Sequence, residues 1–534
     1  MVTKRIHSKN TKFLVFLIGS IALNVVIVLE VKPVIAQVEI DNPNQSSVEV
    51  TKIKLVGNTV FSDSQLSSIV APVEGKEVSI EELFELRTKI TEYYAERGYT
   101  STSATIALQD FDDGIIEIQI AEGSLKAVEI EGLSRLNRGY VVSRLPPMGK
   151  PLNTNTLRDS LVRLREDPLI EDLEAGLVEV SPGQNVVNLK IIEDSSFESQ
   201  FTVTNTFSPS IGGVGGTASI DYHLLGLGDI INLNYTRTAS NGLSRYGAGY
   251  SIPVNRHNGK INLGLVIADA EIVEDPISAL DIQADFDVYQ LGFRQPINLD
   301  RDRELALEIK AELIDSKTFV QEDIPAGFVA GLEDEGRSQI TALRLIQEYF
   351  GRGEQSSIAA RSQFNVGLPI FDATETDVGI DGLFWSWQGQ GQWLRRFDNL
   401  LLVSTLNIQL TNDNLLPVEQ LTLGGNESVR GYRQNLILGD SGAIGNVELQ
   451  IPLIETSRSS IKLIPSVAAG TVWNTSTEIE GADTLVSVGL GLSYALGELI
   501  EARVDYAVPL IEVEAPEDFS TEQEFTFTLS IRPF

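Results

Sequence analysis

Arg430 lies in the stretch GGNESVRGYRQN, residues 424–435, between a valine and a glycine-tyrosine pair. An arginine brings five donors in a rigid fork and a permanent charge, so in a segment of turn-forming residues it either stands in water or grips a carboxylate. Carboxylates are plentiful: 74 Asp and Glu against 41 Lys and Arg give a formal net charge of −33 at pH 7. Other chemistry is scarce. Cysteine is absent, which excludes disulfides, thiolate metal sites and a cysteine nucleophile. Of three histidines, His7 falls in a leader-like segment, and His223 and His257 stand apart from any pair of acids they would serve as base. Gly212-Gly213-Val214-Gly215-Gly216 resembles a phosphate cradle but lacks a following helix or lysine, so it reads as a hairpin turn. Glu333-Asp334-Glu335 reads as a solvated external loop rather than a divalent-cation site. No catalytic, cofactor-binding or metal-ligating constellation emerges, and no enzyme is expected.

The elements that must position Arg430 begin with an export signal. Residues 1–12 carry Lys4, Arg5, Lys9 and Lys12, an apolar run follows from Phe13 to Leu29, and Pro33-Val34-Ile35-Ala36 precedes Gln37. That is the layout of a cleaved secretory leader over residues 1–36, and the run of about 17 residues also sits at the low edge for an uncleaved anchor. Removing residues 1–36 takes away five Lys/Arg and one Glu, so −33 becomes −37. A chain this acidic is not built to bind nucleic acid or anionic lipid through its overall field. No other segment approaches 18 consecutive apolar residues, which leaves membrane strands of about ten alternating residues as the way to span a bilayer.

After a short polar segment, residues 37–47, the pattern mixes helix and strand. A strand is expected over Val50–Val56, a helix after Ser62, and a second after Ser79, with Leu83, Leu86, Ile90, Tyr93 and Tyr94 as its apolar stripe. Strands Ser103–Leu108 and Ile115–Ile120 follow. The order then repeats: strand Leu125–Ile130, helices near Arg138–Leu145 and after Asn155, strands Ala175–Val180 and Val186–Ile192. Two α+β modules, 48–123 and 124–194, are expected, each with a strand edge that is either covered or open to an extended partner.

Beyond residue 195 helices disappear and the period becomes two. Val486, Val488, Leu490, Leu492 and Tyr494 alternate with Ser487, Gly489, Gly491 and Ser493; Ile500, Ala502, Val504, Tyr506 and Val508 alternate with Glu501, Arg503 and Asp505. Val447 and Leu449 oppose Asn446, Glu448 and Gln450, and Trp385, Trp387 and Trp393 oppose Gln388, Gln390 and Gln392. Strands centred near residues 203, 219, 233, 247, 264, 290, 308, 343, 361, 389, 405, 447, 467, 490, 504 and 527 number sixteen, an even count that lets an antiparallel barrel close. The expected fold is therefore two tandem α+β modules followed by a 16-stranded antiparallel transmembrane β-barrel over 195–534. The last strand ends in the aromatic Phe534, the mark by which outer-membrane barrels meet the barrel assembly machinery.

Residues 412–441 join the eleventh and twelfth strands as the sixth external loop, glycine-rich and long enough to fold into the lumen. Here Leu423-Gly424-Gly425-Asn426-Glu427-Ser428-Val429-Arg430-Gly431-Tyr432, with Gly439-Asp440-Ser441-Gly442, resembles the sixth-loop signature of two-partner secretion transporters, within the superfamily of outer-membrane assembly and translocation barrels. The two modules resemble its polypeptide-transport-associated (POTRA) domains. The resemblance implies a loop folded into the lumen with Val429, Arg430, Gly431 and Tyr432 at its tip, and an acid on the wall for Arg430. In the family that acid is an aspartate two before a strand glycine; Ala468 holds its place here, which leaves Glu448 and Asp505 as substitutes. Family members often carry a plug helix before the first module, and residues 37–47 are too short and polar for one. The function implied is export of a dedicated large β-helical exoprotein of adhesin or hemolysin type, its unfolded N-terminal secretion domain taken up by the modules in the periplasm and passed through the outer-membrane barrel without nucleotide. An assembly factor that inserts other barrels is the nearest rival; a passive porin explains the barrel but not the modules.

Overall fold

The computed structural model describes residues 47–533, except 108, 110, 112, 166, 168, 300–301, 322–323, 328–335, 377–379, 477–478, 480 and 514–519. The leader, the polar segment in which no plug helix is expected, the Glu333-Asp334-Glu335 acids and Phe534 lie outside the described residues. Two compact units emerge, one built from the modules and one from the barrel.

The first module runs β1 (Ser47–Val50), β2 (Lys52–Val56), α1 (Asp63–Val70), β3 (Lys76–Ser79), α2 (Ile80–Glu96), β4 (Ser103–Ile106) and β5 (Ile115–Ala121). Helix α2 begins at Ser79 because the Ser79 hydroxyl accepts from the Glu82 N–H at 3.2 Å and the Glu82 carboxylate accepts from the Ser79 N–H at 2.7 Å. Its buried stripe, Leu83, Leu86, Ile90 and Tyr94, packs with Leu66, Ile116 and Ile118. The single strand expected over Val50–Val56 is two strands: Thr51 and Lys52 both turn their N–H groups to the Gly114 carbonyl, at 2.8 and 3.2 Å, which breaks the ladder. β1 instead pairs with β3, a strand that Lys76-Glu77-Val78-Ser79 hid behind a single apolar residue. β5 lies between β2 and β4.

The second module repeats the plan with β6 (Ser124–Glu131), α3 (Arg138–Val142), α4 (Thr154–Arg165), β7 (Ile170–Ser181) and β8 (Gln184–Glu193), the last lying between β6 and β7. α3 stops three residues short of the expected Leu145, where its last turn tightens into Arg144 N–H to Val141 and Leu145 N–H to Val142 bonds ahead of Pro146-Pro147.

The repeat extends to a device that no sequence pattern announces. At the end of each central strand an acid grips the turn that follows the module's outer strand. Glu122 accepts from the N–H groups of Thr59 and Val60 at 2.7 and 2.8 Å and from the Tyr94 hydroxyl at 2.8 Å. Glu193 accepts from the N–H groups of Ser134, Arg135 and Leu136 at 2.7, 3.0 and 2.9 Å and from the Ser134 hydroxyl at 2.7 Å. Burial alone would raise the Glu193 pKa; the Ser134 hydroxyl and the three backbone donors outweigh it and hold the group at about 2 against an ordinary 4.5. A depressed carboxylate stabilises the fold above its unfolded pKa and loses that contribution as pH falls through the folded one, here between about 4.5 and 2, for about 3 kcal/mol in all. Urea titrations of the module unit at pH 7 and pH 2 are expected to show this loss in the native sequence and to show little of it in Glu193→Gln; equal pH dependence in both would remove Glu193 as its source.

The modules are joined by helix ends. The Gly98 carbonyl, just past α2, accepts from the Thr154 N–H at 2.8 Å and the Thr154 hydroxyl at 2.9 Å, and Asn153 bonds the Arg97 carbonyl through Nδ2 at 2.9 Å while its Oδ1 accepts from the Asn155 N–H at 3.0 Å. The carbonyl end of one helix thus caps onto the amide end of the next, which satisfies both sets of orphan backbone groups and aligns their dipoles. Gly98 has φ +90°, and a Cβ there would lie 2.6 Å from Asn153 Oδ1.

The second unit is a closed antiparallel barrel of sixteen strands. The first five are Phe197–Thr204, Gly215–Tyr222, Ile230–Thr238, Leu243–Pro253 and Lys260–Glu271. Next come Ile282–Leu299, Arg303–Val320, Arg337–Arg352, Ser356–Gly367, Trp385–Phe397 and Leu400–Leu410. The last five are Ser441–Glu455, Ser459–Trp473, Thr484–Leu496, Ile500–Pro509 and Phe525–Ile531. Closure joins the last strand to the first over four residue pairs, from Thr528–Thr204 to Ile531–Phe201. Val488, Leu490, Leu492 and Tyr494 face out while Ser487 is buried; Val504, Tyr506 and Val508 face out while Asp505 and Ala507 are buried. Trp385, Trp473 and Phe525 ring the outer surface at the long-loop end, and Tyr349, Phe397 and Tyr494 ring it at the short-turn end. An apolar belt of this extent between two aromatic girdles is what a bilayer solvates.

Candidate functional site

The loop between the eleventh and twelfth strands turns inward and meets the polar face of the wall. Its Gly424 and Gly425, at φ +103° and +100°, reverse the chain where side chains would strike Leu436 and Gln434. Between the limbs, Leu421–Leu423 pairs with Ile437–Gly439. The tip is fully buried at Val429 and Tyr432, which join Leu423, Ile437, Ile444, Ala468, Val472 and Leu485 in one apolar cluster. Ala468, the position of the family's aspartate, therefore lies under the tip among hydrocarbon, where a lone carboxylate would be costly.

The acid for Arg430 stands on the neighbouring strand. Arg430 Nη1 donates to Glu448 Oε1. Glu448 and Ala468 are diagonal neighbours on one face, since Asn446 pairs with Ala468 and Glu448 with Ser466. Asp505 does not bind Arg430. It binds Arg503, whose Nε and Nη2 donate to it at 2.8 Å each, and Arg503 Nη2 also donates to Glu448 Oε1 at 2.9 Å. The reason is reach: Arg503 and Asp505 share one face of one strand and close on each other first. Two arginines and two acids thus form a neutral cluster, and Arg503, unmarked by any motif, is its hub. The Arg430 Nε is buried without a hydrogen-bond partner among the described residues.

Gly431 and Tyr432 complete the tip. Gly431 has φ +92°, and a Cβ there would lie 2.9 Å from the Ala507 carbonyl oxygen. The Tyr432 hydroxyl accepts from the Ile511 N–H at 3.0 Å and lies 2.9 Å from the Val486 and Ile511 carbonyl oxygens, one of which takes its proton. Gly431-Tyr432 also pairs with Glu522-Gln523 of the last long loop, and Arg433 binds Glu274 of the loop after the fifth strand and the Ser210 hydroxyl at 3.0 Å. These loop-to-loop bonds join residues far apart in sequence and left no periodic signal to find.

Nothing here assembles a nucleophile with a base. The arrangement instead occupies a lumen with a glycine-hinged, ion-paired loop. Residues 183–494 match the family described as haemolysin secretion/activation protein ShlB/FhaC/HecB, and residues 48–123 match the POTRA domain of ShlB type. Among curated relatives, the outer membrane transporter CdiB of Escherichia coli is 24% identical over 491 residues, covering 86% of this chain and 79% of the relative. The hemolysin transporter protein HpmB of Proteus mirabilis is 21% identical over 424 residues, covering 77% and 73%. The solved structure of CdiB from Escherichia coli superposes with a TM-score of 0.70 at 20% identity over 93% of each chain. The chain belongs to the haemolysin secretion/activation family ShlB/FhaC/HecB: it is a two-partner secretion transporter of the outer membrane, with POTRA-type modules in the periplasm.

Proposed function

We propose that this transporter exports one dedicated, large β-helical exoprotein of adhesin or hemolysin type. The unfolded N-terminal secretion region of that cargo is held by the modules, 48–123 and 124–194, after the leader over residues 1–36 has directed the chain out of the cytoplasm. The barrel, 195–534, carries the cargo outward, with loop 412–441 and its tip Val429, Arg430, Gly431 and Tyr432 controlling the passage. The observation that supports this most is the pairing, on one chain, of modules with one-sided strand edges and a barrel with an ion-paired lumen loop. Among the described pairings β4 bonds only β5, and β7, twelve residues long, bonds only β8, with Val178 and Val180 exposed. Such edges accept an extended segment by backbone hydrogen bonds, and an unfolded secretion domain is one. Folding of the cargo outside supplies direction where no nucleotide exists, and the terminal strand ending at Phe534 is the part the barrel assembly machinery would recognise.

Profiling the secreted proteins of a strain lacking this protein tests the proposal. Loss of one large exoprotein, restored by the native chain, is the expected result. Unchanged secretion together with a general loss of outer-membrane barrels would make the protein an assembly factor instead.

A further inference from the structure

The loop touches the barrel at a second place that carries no motif. Glu419 sits on the limb that enters the lumen, Arg344 on the eighth strand and Glu312 on the seventh, and all three are less than 10% exposed. Arg344 grips the Glu419 carboxylate with both prongs, Nη1 to Oε2 at 3.1 Å and Nη2 to Oε1 at 2.6 Å, while its Nε donates to Glu312. Lys310 Nζ lies 3.2 Å from Glu312, so this cluster too is neutral, two cations against two anions. The Glu419 carbonyl is held as well, by Gln409 Nε2 at 2.8 Å. Just before it, Leu415 and Leu416 pack with Phe384 against Val288, Ile314, Ile340 and Ala342 of the sixth, seventh and eighth strands.

The polarity is the reverse of the tip's. There a loop arginine enters a wall acid; here a wall arginine holds a loop acid. The two clasps also use different walls, the seventh and eighth strands for Glu419 and the twelfth and fifteenth for Arg430. Around a ring of sixteen strands the twelfth stands a quarter turn from the eighth, and the fifteenth half a turn from the seventh.

We propose that Arg344, with Glu312 behind it, is a positioning residue for the loop: it fixes the root through Glu419, so that the loop spans the lumen as a strut held at both ends rather than as a flap fastened at its tip. A bidentate arginine suits this task because it fixes orientation as well as position. A buried arginine that loses an acid is in turn poorly tolerated, which ties the wall to the loop.

The native chain has no cysteine, so a single introduced thiol reports alone. Val429→Cys places it at the fully buried tip, and Ser240→Cys places a control on an exposed loop. The rate of labelling by a membrane-impermeant maleimide is measured on intact cells, for barrels that keep heat-modifiable mobility. Val429→Cys alone is expected to label slowly. Adding Glu419→Gln or Arg344→Met is expected to speed it by at least about tenfold, the loss of one charge-assisted bond pair, with the control rate unchanged. The two together are expected to label no faster than either alone, because they break one clasp. The proposal rests on the tip being docked, and the same experiment separates the two. Fast labelling of Val429→Cys alone would overturn the docked loop itself; slow labelling that neither substitution changes, or effects that multiply in the double variant, would overturn only the root clasp.

Discussion

Replacing Glu448 with glutamine is expected to reduce export by at least about tenfold, and by more than Arg430→Ala does. The order follows from which charges are left behind. Glu448 accepts from both Arg430 and Arg503. Without its charge, the half-buried Arg430 has no acid and Arg503 keeps only Asp505, and a pair broken from one side costs roughly 3–5 kcal/mol at full burial. Without Arg430, Glu448 keeps Arg503 and Arg503 keeps Asp505, so the wall stays satisfied and only the loop's hold is lost. Exported protein in the medium, normalised to barrel with native heat-modifiable mobility, measures both. An Arg430→Ala defect equal to or larger than that of Glu448→Gln would show that the hub does not carry the clasp.

Gly431→Val should expel the tip while the barrel still closes. The residue sits at φ +92°, a conformation a β-branched side chain adopts only at about 1–3 kcal/mol. The added atoms would also meet the Ala507 carbonyl oxygen at 2.9 Å and the Pro509 nitrogen at 3.3 Å. These are backbone atoms of the fifteenth strand, paired with the fourteenth at Ala507–Gly489 and Pro509–Ser487, and cannot yield as a flexible side chain would. Export is expected to fall to the level of the deletion strain. Added trypsin should then cut after Arg430 and Arg433 in intact cells, where the native loop resists. Native export together with native trypsin resistance would sink the assignment of Gly431 to the close approach.

The barrel was legible because lipid solves the strand problem one residue at a time. Every second side chain from Val486 to Tyr494 must be apolar, and that alternation places strands well even where their ends are uncertain. Helix α2 was legible for a similar reason, with a serine cap, two early acids and a stripe at helical spacing. β3 was not, since a four-residue strand with one inward side chain has no period to read. The clasp was half legible. The motif pointed to Arg430, and lumen alternation pointed to Glu448 and Asp505, but choosing between them needed the position of Arg503. Arg344 and Glu419, separated by 75 residues, leave no trace in spacing. The Glu122 and Glu193 grips were hidden in an acid-rich chain where one more glutamate carries little information.

Each ion cluster in the lumen has a consequence for what slides past it. When the loop withdraws, Arg344 keeps Glu312 and Glu448 keeps Arg503, while Arg294 remains matched to Glu304 and Glu348 nearer the short-turn end. The vacated wall then holds one excess positive charge, Arg344 and Lys310 against Glu312, and one excess negative charge, Glu448 and Asp505 against Arg503, each spread over a hydrogen-bonded cluster. A lone buried charge would seize each opposite charge of a passing polypeptide and release it slowly; a charge shared with opposite partners holds it more weakly. Friction along the channel is then lower than isolated charges would impose, a property suited to threading a very long chain.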